Sequence, residues 1–372
     1  MLNITTKITL VSGLLFLLLS CNNNVDDNSN KIKVDFEAPT ENFTQLIESV
    51  EYVPLETDSV HFFDFKNRLI VEEDRYVIAD LSSQKICAYD LYGRFLNTIG
   101  RFGNGPGEHS YIISIQKYND AIYVYSHPDK EIRYNRDGSF EEKHISLLGQ
   151  DVLKISDGVF YYYSYGIPYP YRAALVRDTS AVEKYLFSDN NSKLFPAENL
   201  YPLLSSDSAE EAFLIDTYNP NILRYYKGEL SDFLCLDFGK YKMPEEFFQF
   251  DDPYKAFDFW VSLETAHISS FSKCGDTYVV IVGGIYSKNG TEHYGIYRGG
   301  SWYWFLAPDF DGHWGPFTHS FKLIKDDVMY FLIEAADIKH IPAEIAALAL
   351  NPEAVANIKD EDNYVITKIK LK

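Results

Sequence analysis

Apolar and polar positions recur along this chain in the same succession. Residues 75–100 read RYVIADLSSQKICAYDLYGRFLNTIG and residues 121–145 read AIYVYSHPDKEIRYNRDGSFEEKHI. Each block has an apolar hexamer, a polar turn and a second strand centred on an Ile. An aspartate-bearing turn ending in Gly and a closing strand near a Phe complete it. Ile86 and Ile132 mark the repeat at 46 residues, with a one-residue slip between Gly93 and Gly138. Weaker echoes follow at residues 159–165 with 171–177, 212–217 with 221–226 and 232–238, 278–283 with 294–298, and 328–333 with 364–371. A repeat of about 40–50 residues holding about four short strands predicts propeller blades. A four-stranded sheet that is apolar on both faces buries them only by stacking between two neighbours, so inner strands should read as continuous apolar runs. YVVIV at 278–282 does so, whereas FEEKHI at 140–145 alternates in part, as an outer strand should.

Residues 34–372 would hold about seven such units at that period. Two stretches read as helical instead. Residues 244–263 open with Pro244 and space Phe247, Phe248, Phe257 and Trp260 as a helix would, and residues 341–358 are Ala-rich with an interruption at Pro352. Without them about six units remain. The expected fold is all-β: a six-bladed propeller of four-stranded antiparallel blades with short helical insertions. The last blade reads one strand short, with strands at 317–324, 328–333 and 364–371. The lone strand VEYVPL at 50–55 can supply the fourth, which ties chain start to chain end and leaves no open edge.

The N-terminus reads as an address. Lys7 precedes an apolar run from Ile8 to Leu19. At about 1.5 Å per residue that run is about 18 Å of helix, short of the roughly 30 Å hydrocarbon core. It is therefore expected to be the core of a signal peptide over residues 1–20. Leu18-Leu19-Ser20-Cys21 resembles the bacterial lipobox, with a bulkier Leu19 than is usual there, and the resemblance makes Cys21 the lipid attachment site. Residues 22–33 are polar and free of aromatics, so residues 21–33 are expected to be a lipidated Cys and flexible tether, with the propeller over 34–372. The acidic Asp26 and Asp27 resemble the segment that routes Bacteroidota lipoproteins to the outer surface. The expected location is thus the cell envelope, as an outer-membrane lipoprotein exposed at the surface, with the membrane as a partner through the anchor.

Composition narrows the function. With 29 Tyr and 26 Phe against 3 Met, the aromatics are those that favour strands. A net charge of −20 repels phosphate backbones, so nucleic acid is not an expected partner. Beyond Cys21 the cysteines are Cys87, Cys235 and Cys274, an odd number at irregular spacing, so buried free thiols are expected and no disulfide framework. None of the G-x-S-x-G, H-E-x-x-H or phosphate-loop patterns occurs. Two aspartates and two histidines at 309, 311, 313 and 319 match no trusted metal spacing, so neither metal nor cofactor is expected.

Several segments together resemble the six-bladed β-propeller lipoproteins of Bacteroidota, relatives of the NHL-type propellers. They are YVPLET at 52–57, IGRFGNGPGE at 99–108, DFDG at 309–312 and the last strand after Glu361-Asp362-Asn363. His109 stands where that family usually has Tyr. The resemblance implies the propeller fold and export.

Two groups of residues invite a role. Gly103, Gly105, Pro106, Gly107 and Glu108 suit a sharp connector between blades, with Glu108 bonding backbone N–H groups in the turn. Trp302 and Trp304 would share one face of a strand, close to Asp309, Asp311 and His313. Aromatic faces beside hydrogen-bonding groups suit a sugar ring. The expected function is that of a lipid-anchored binding or scaffold protein for a glycan, peptide or partner protein. The alternative is a propeller hydrolase or lyase acting on polysaccharide.

Overall fold

The structure is a computed structural model that describes residues 31–37, 42–57, 67–145, 149, 151–156, 158–162, 171–177, 184–188, 203–205, 208–216, 218–283, 292–306, 317 and 320–372. Two strands, β1 (Lys31–Lys33) and β2 (Ile47–Pro54), precede the first full blade. Blade one is β3 (Asn67–Val71), β4 (Arg75–Asp80), β5 (Lys85–Asp90) and β6 (Phe95–Thr98); blade two is β7 (Tyr111–Tyr118), β8 (Ala121–His127), β9 (Lys130–Tyr134) and β10 (Phe140–His144). Blade three is β11 (Asp151–Ile155), β12 (Gly158–Tyr162), β13 (Tyr171–Val176) and β14 (Lys184–Ser188). Blade four is β15 (Leu203–Ser205), β16 (Glu211–Asp216), β17 (Asn219–Tyr226) and β18 (Glu229–Asp237). Blade five is β19 (His267–Cys274), β20 (Thr277–Gly283), β21 (His293–Arg298) and β22 (Ser301–Leu306). Blade six is β23 (Phe321–Lys325), β24 (Val328–Ile333), β25 (Val365–Leu371) and, outermost, β2. The repeat legible around Ile86 and Ile132 is therefore a blade, and both residues lie on its third strand.

Alternation along each strand sends neighbouring side chains to opposite blades. In β4, Tyr76 and Ile78 enter the core shared with blade six, while Val77 and Ala79 enter the core shared with blade two. Each of the six blade-to-blade interfaces has its own buried cluster of this kind. Ring closure follows the expectation. β2 pairs antiparallel with β25 from Ile47↔Leu371 to Pro54↔Val365, and Val50 is fully buried there.

One boundary differs from the sequence reading. Lys31, Ile32 and Lys33, assigned above to the tether, form β1 and pair parallel with Cys235, Leu236 and Asp237 on the outer edge of blade four. Val34 and Phe36 then bury themselves beside Phe238 and Tyr241. This short segment is ordered because blade four offers it an edge of free backbone groups and an apolar landing for Ile32.

The helical insertions are present. Residues 244–263 hold a 3₁₀ turn at Glu245–Gln249 and helix α1 (Pro253–Val261), whose Asp252 cap accepts from the backbone N–H groups of Tyr254 and Lys255. Residues 341–358 hold the short α2 (Ala343–Ala346) and a 3₁₀ turn at Pro352–Val355. Of the free thiols, Cys87 is buried, and burial pushes its pKa up to about 12. Cys235 and Cys274 are only half-buried, because they lie near blade rims and turns rather than in mid-core.

Candidate binding channel

The first strand of every blade presents its outer edge to the propeller axis, and these six strands enclose a central cavity of about 570 Å³. Its described lining carries six basic side chains, Arg68, Lys117, Lys154, Lys273, Lys322 and Lys325, against one carboxylate, Glu211. This stands in a protein of net charge −20.

Strand register places the cations. Lys117 pairs with Ile122, Lys154 with Val159 and Lys273 with Tyr278, in each case one step before the pair that closes the hairpin. Blades two, three and five therefore project a lysine at the same height. Lys325 closes the hairpin of blade six. Arg68 and Lys322 lie three residues deeper along their strands, about 10 Å at strand rise. Lys322 is the extra residue of a bulge, since Phe321 faces Phe331 and Leu323 faces Tyr330. A bulge re-aims its side chain.

Each of the three equivalent lysines leans toward the preceding blade. Lys117 Nζ is 3.7 Å from Glu72 Oε1, Lys154 Nζ 3.8 Å from Glu131 Oε2, and Lys273 Nζ 3.3 Å from Glu211 Oε2. Lys154 also sits 5.0 Å over the Tyr123 ring. These carboxylates are shared: Glu72 also pairs with Arg75 and Arg136, and Glu211 with Arg224. The cations consequently outnumber the anions that hold them. Lys325 Nζ donates to the Val71 carbonyl at 3.1 Å, across the joint between the last blade and the first. Arg68 Nη2 pairs with Asp151 at 2.7 Å while Nη1 donates to Ser114 Oγ at 2.9 Å, so one guanidinium spans three blades. Lys322 is half-buried, and removal from water pulls its ammonium pKa down to about 8, against the pull of Glu292. Such a channel attracts negative charge, and its low-dielectric walls strengthen that attraction.

Comparison with known proteins agrees with this architecture. Residues 29–370 match the model of a domain of unknown function, DUF4934. The chain belongs to the DUF4934 family. A solved protein described as exported, from Bacteroides fragilis NCTC 9343, superposes on this DUF4934 chain with a TM-score of 0.73 at 15% identity, covering 92% of this chain and 99% of its own. A member of the DUF4221 family from Bacteroides vulgatus ATCC 8482 superposes with a TM-score of 0.53 at 10% identity, covering 87% and 98%. No curated protein matches the chain significantly.

The residues singled out by sequence lie elsewhere in the DUF4934 propeller. Trp302 and Trp304 are on β22, the outermost strand of blade five, half-buried and stacked on each other with centroids 5.5 Å apart. Asp309, Asp311, His313 and Cys21 lie outside the described residues. Residues 103–108 fall between β6 and β7. There Gly103 N–H donates to the His109 carbonyl (2.9 Å) and His109 N–H to the Arg101 carbonyl (3.1 Å). Glu108 accepts from Gly105 N–H at 2.8 Å and pairs with Arg101 at 2.6 Å, and these contacts hold its carboxyl below the usual range. Gly107 has φ +67°, and a Cβ there would meet the Phe140 ring at 2.7 Å. Beside it, buried His109 donates through Nε2 to the Gln84 carbonyl at 3.1 Å.

Sequence reasoning passed over the channel cations. Their signal was the spacing Lys117–Asp120, Lys154–Asp157 and Lys273–Asp276, a lysine three residues before an aspartate three times along the sequence.

Proposed function

We propose that this protein is an envelope-held binding propeller whose central channel takes an anionic ligand. The observation that carries the reading is the six-to-one excess of basic over acidic side chains among the described channel residues, in a chain of net charge −20. An acidic exterior and a basic channel direct anions to one place, and weak neighbouring sites are suppressed by repulsion. The apolar h-region, the lipobox-like Cys21 and the Bacteroides fragilis relative described as exported support the envelope location. The test is calorimetric titration of the mature chain with citrate, inorganic phosphate and galacturonate, against neutral galactose. Binding of the anions should weaken as salt rises and weaken again in Lys154→Gln and Lys325→Gln. Equal binding of galactose, or no anion binding at low salt, would overturn the reading.

A second reading is carried by Lys322. An amine with a pKa of about 8, set among cations that hold a carboxylate, is equipped for β-elimination on a uronate. It would remove the proton α to the carboxylate while the C4–O bond breaks, leaving a C4=C5 double bond, and the departing O4 would take up a proton from water to become a free hydroxyl. Absence of the ultraviolet-absorbing product after incubation with polyuronate would remove this reading and leave binding.

A further inference from the structure

One row of paired residues crosses the whole of blade five, from the channel to the rim. Lys273 on β19 stands opposite Tyr278 on β20, Tyr278 opposite Tyr297 on β21, and Tyr297 opposite Trp302 on β22. Directly opposed residues of an antiparallel pair share one face about 5 Å apart, so the row is a strip about 15 Å long. The rings lie in sequence along it. Tyr278 and Tyr297 stack with centroids 5.0 Å apart at 12°, Tyr297 and Trp302 follow at 5.4 Å, and Trp302 stacks on Trp304 at 5.5 Å and 16°. Trp304 lies over Gly295, where any Cβ would meet its ring at 2.6 Å. All four aromatic residues and Lys273 are half-buried.

The corresponding row of blade two begins with the equivalent lysine and is built differently. There Lys117 is followed by Ile122, Tyr134 and Phe140, and Ile122 and Tyr134 are buried between blades. In blade five Tyr278, Trp302 and Trp304 also pack against the core shared with blade four, yet the strip stays partly open along its length. Phe233 of blade four forms its wall, meeting Tyr278 edge-on at 5.2 Å and 75°. Glu211 and Arg224 of the same blade stand at its inner end, next to Lys273.

We propose that this strip is a track for an acidic oligosaccharide built of uronic acid residues. It rests on the anionic-channel reading and adds the class of ligand. Sugar rings present apolar faces that pack on aromatic side chains, and the open sides of the two stacked pairs, Tyr278–Tyr297 and Trp302–Trp304, offer successive contacts. Their carboxylates are held at the inner end by Lys273 and the channel cations beyond it. A peptide would use the acidic complement of those cations without needing ring platforms in a row.

The experiment is titration of the mature chain with galacturonate and oligogalacturonates of increasing length, beside a neutral oligosaccharide and poly-glutamate. Affinity should rise with length and level off once the strip is spanned. Trp302→Ala and Tyr297→Ala should each weaken the long oligomers about tenfold while leaving single galacturonate unaffected. Trp302→Phe should retain most of the affinity, and Lys273→Gln should weaken short and long ligands alike. Trp302→Phe should melt close to the parent, whereas Trp302→Ala loses packing against the blade-four core and should melt lower, so its affinities are compared well below its melting range. If galacturonate binds yet Trp302→Ala and Tyr297→Ala leave the long oligomers unaffected, the track falls and the channel reading stands. Equal binding of poly-glutamate overturns the sugar class. Equal binding of the neutral oligosaccharide overturns both this proposal and the channel reading.

Discussion

Arg68 in the first blade reaches Asp151 in the third, Nη2 to Oδ1 at 2.7 Å, past the inner strand of the second. Asp151 is 1% exposed and Arg68 13%, so the pair is nearly dry. Ser114 on the intervening strand accepts from the same guanidinium and donates to the Val152 carbonyl at 2.7 Å. One ion pair thus ties three blades together at the inner end of the channel.

Removing one partner of a buried pair strands the other charge. Asp151→Ala is expected to cost about 3–5 kcal/mol of stability in chemical denaturation. A change below about 1 kcal/mol, the range of exposed pairs, would show that the contact is solvated.

The channel lysine Lys322 should make stability depend on pH in a definite direction. The folded chain releases its proton near pH 8, whereas the unfolded chain holds it to about 10.5. Between those values the unfolded state binds more protons, so this residue's penalty is full below pH 8 and is relieved as pH rises. Lys322→Met should therefore melt higher than the parent at pH 7, with the gain shrinking toward pH 10. A constant gain across that range would contradict the proton release.

Closure of the ring by β2 predicts a graded set of truncations. A chain beginning at residue 31 should melt like the mature protein. Removing β1 as well uncovers the edge of β18 and should lower the melting temperature modestly. Removing residues through 57 takes the outermost strand of blade six and should abolish cooperative unfolding. Similar melting of the last two would mean that β2 does not close the ring.

The lipid anchor has its own test. Cys21→Ala removes the one sulfur available for acylation in the lipobox-like sequence, and the variant should move from the membrane fraction to the soluble fraction. Retention in the membrane would end the anchor proposal.

The sequence by itself determined the blade and the ring. Interfaces between blades are apolar on both sides, so hydrophobic pattern alone marks strands such as 75–80 and 278–282, and the spare strand at residues 50–55 pointed to closure. Local chemistry was also legible. Alternation put Trp302 and Trp304 on one face, and the glycines around Glu108 marked a tight turn. What the tertiary structure decided is what stands across space. Lys117, Lys154 and Lys273 each read as an ordinary lysine beside a polar turn, because one strand cannot reveal that its neighbours converge on an axis. Only closure of six blades brings those three to one height. Likewise Lys273, Tyr278, Tyr297 and Trp302 become a row only through hairpin register, since a one-residue slip would send a strand's side chains to the opposite face. The order of Lys31–Lys33 is a third case: one Ile between two lysines does not predict a strand, and a free edge on blade four supplies it.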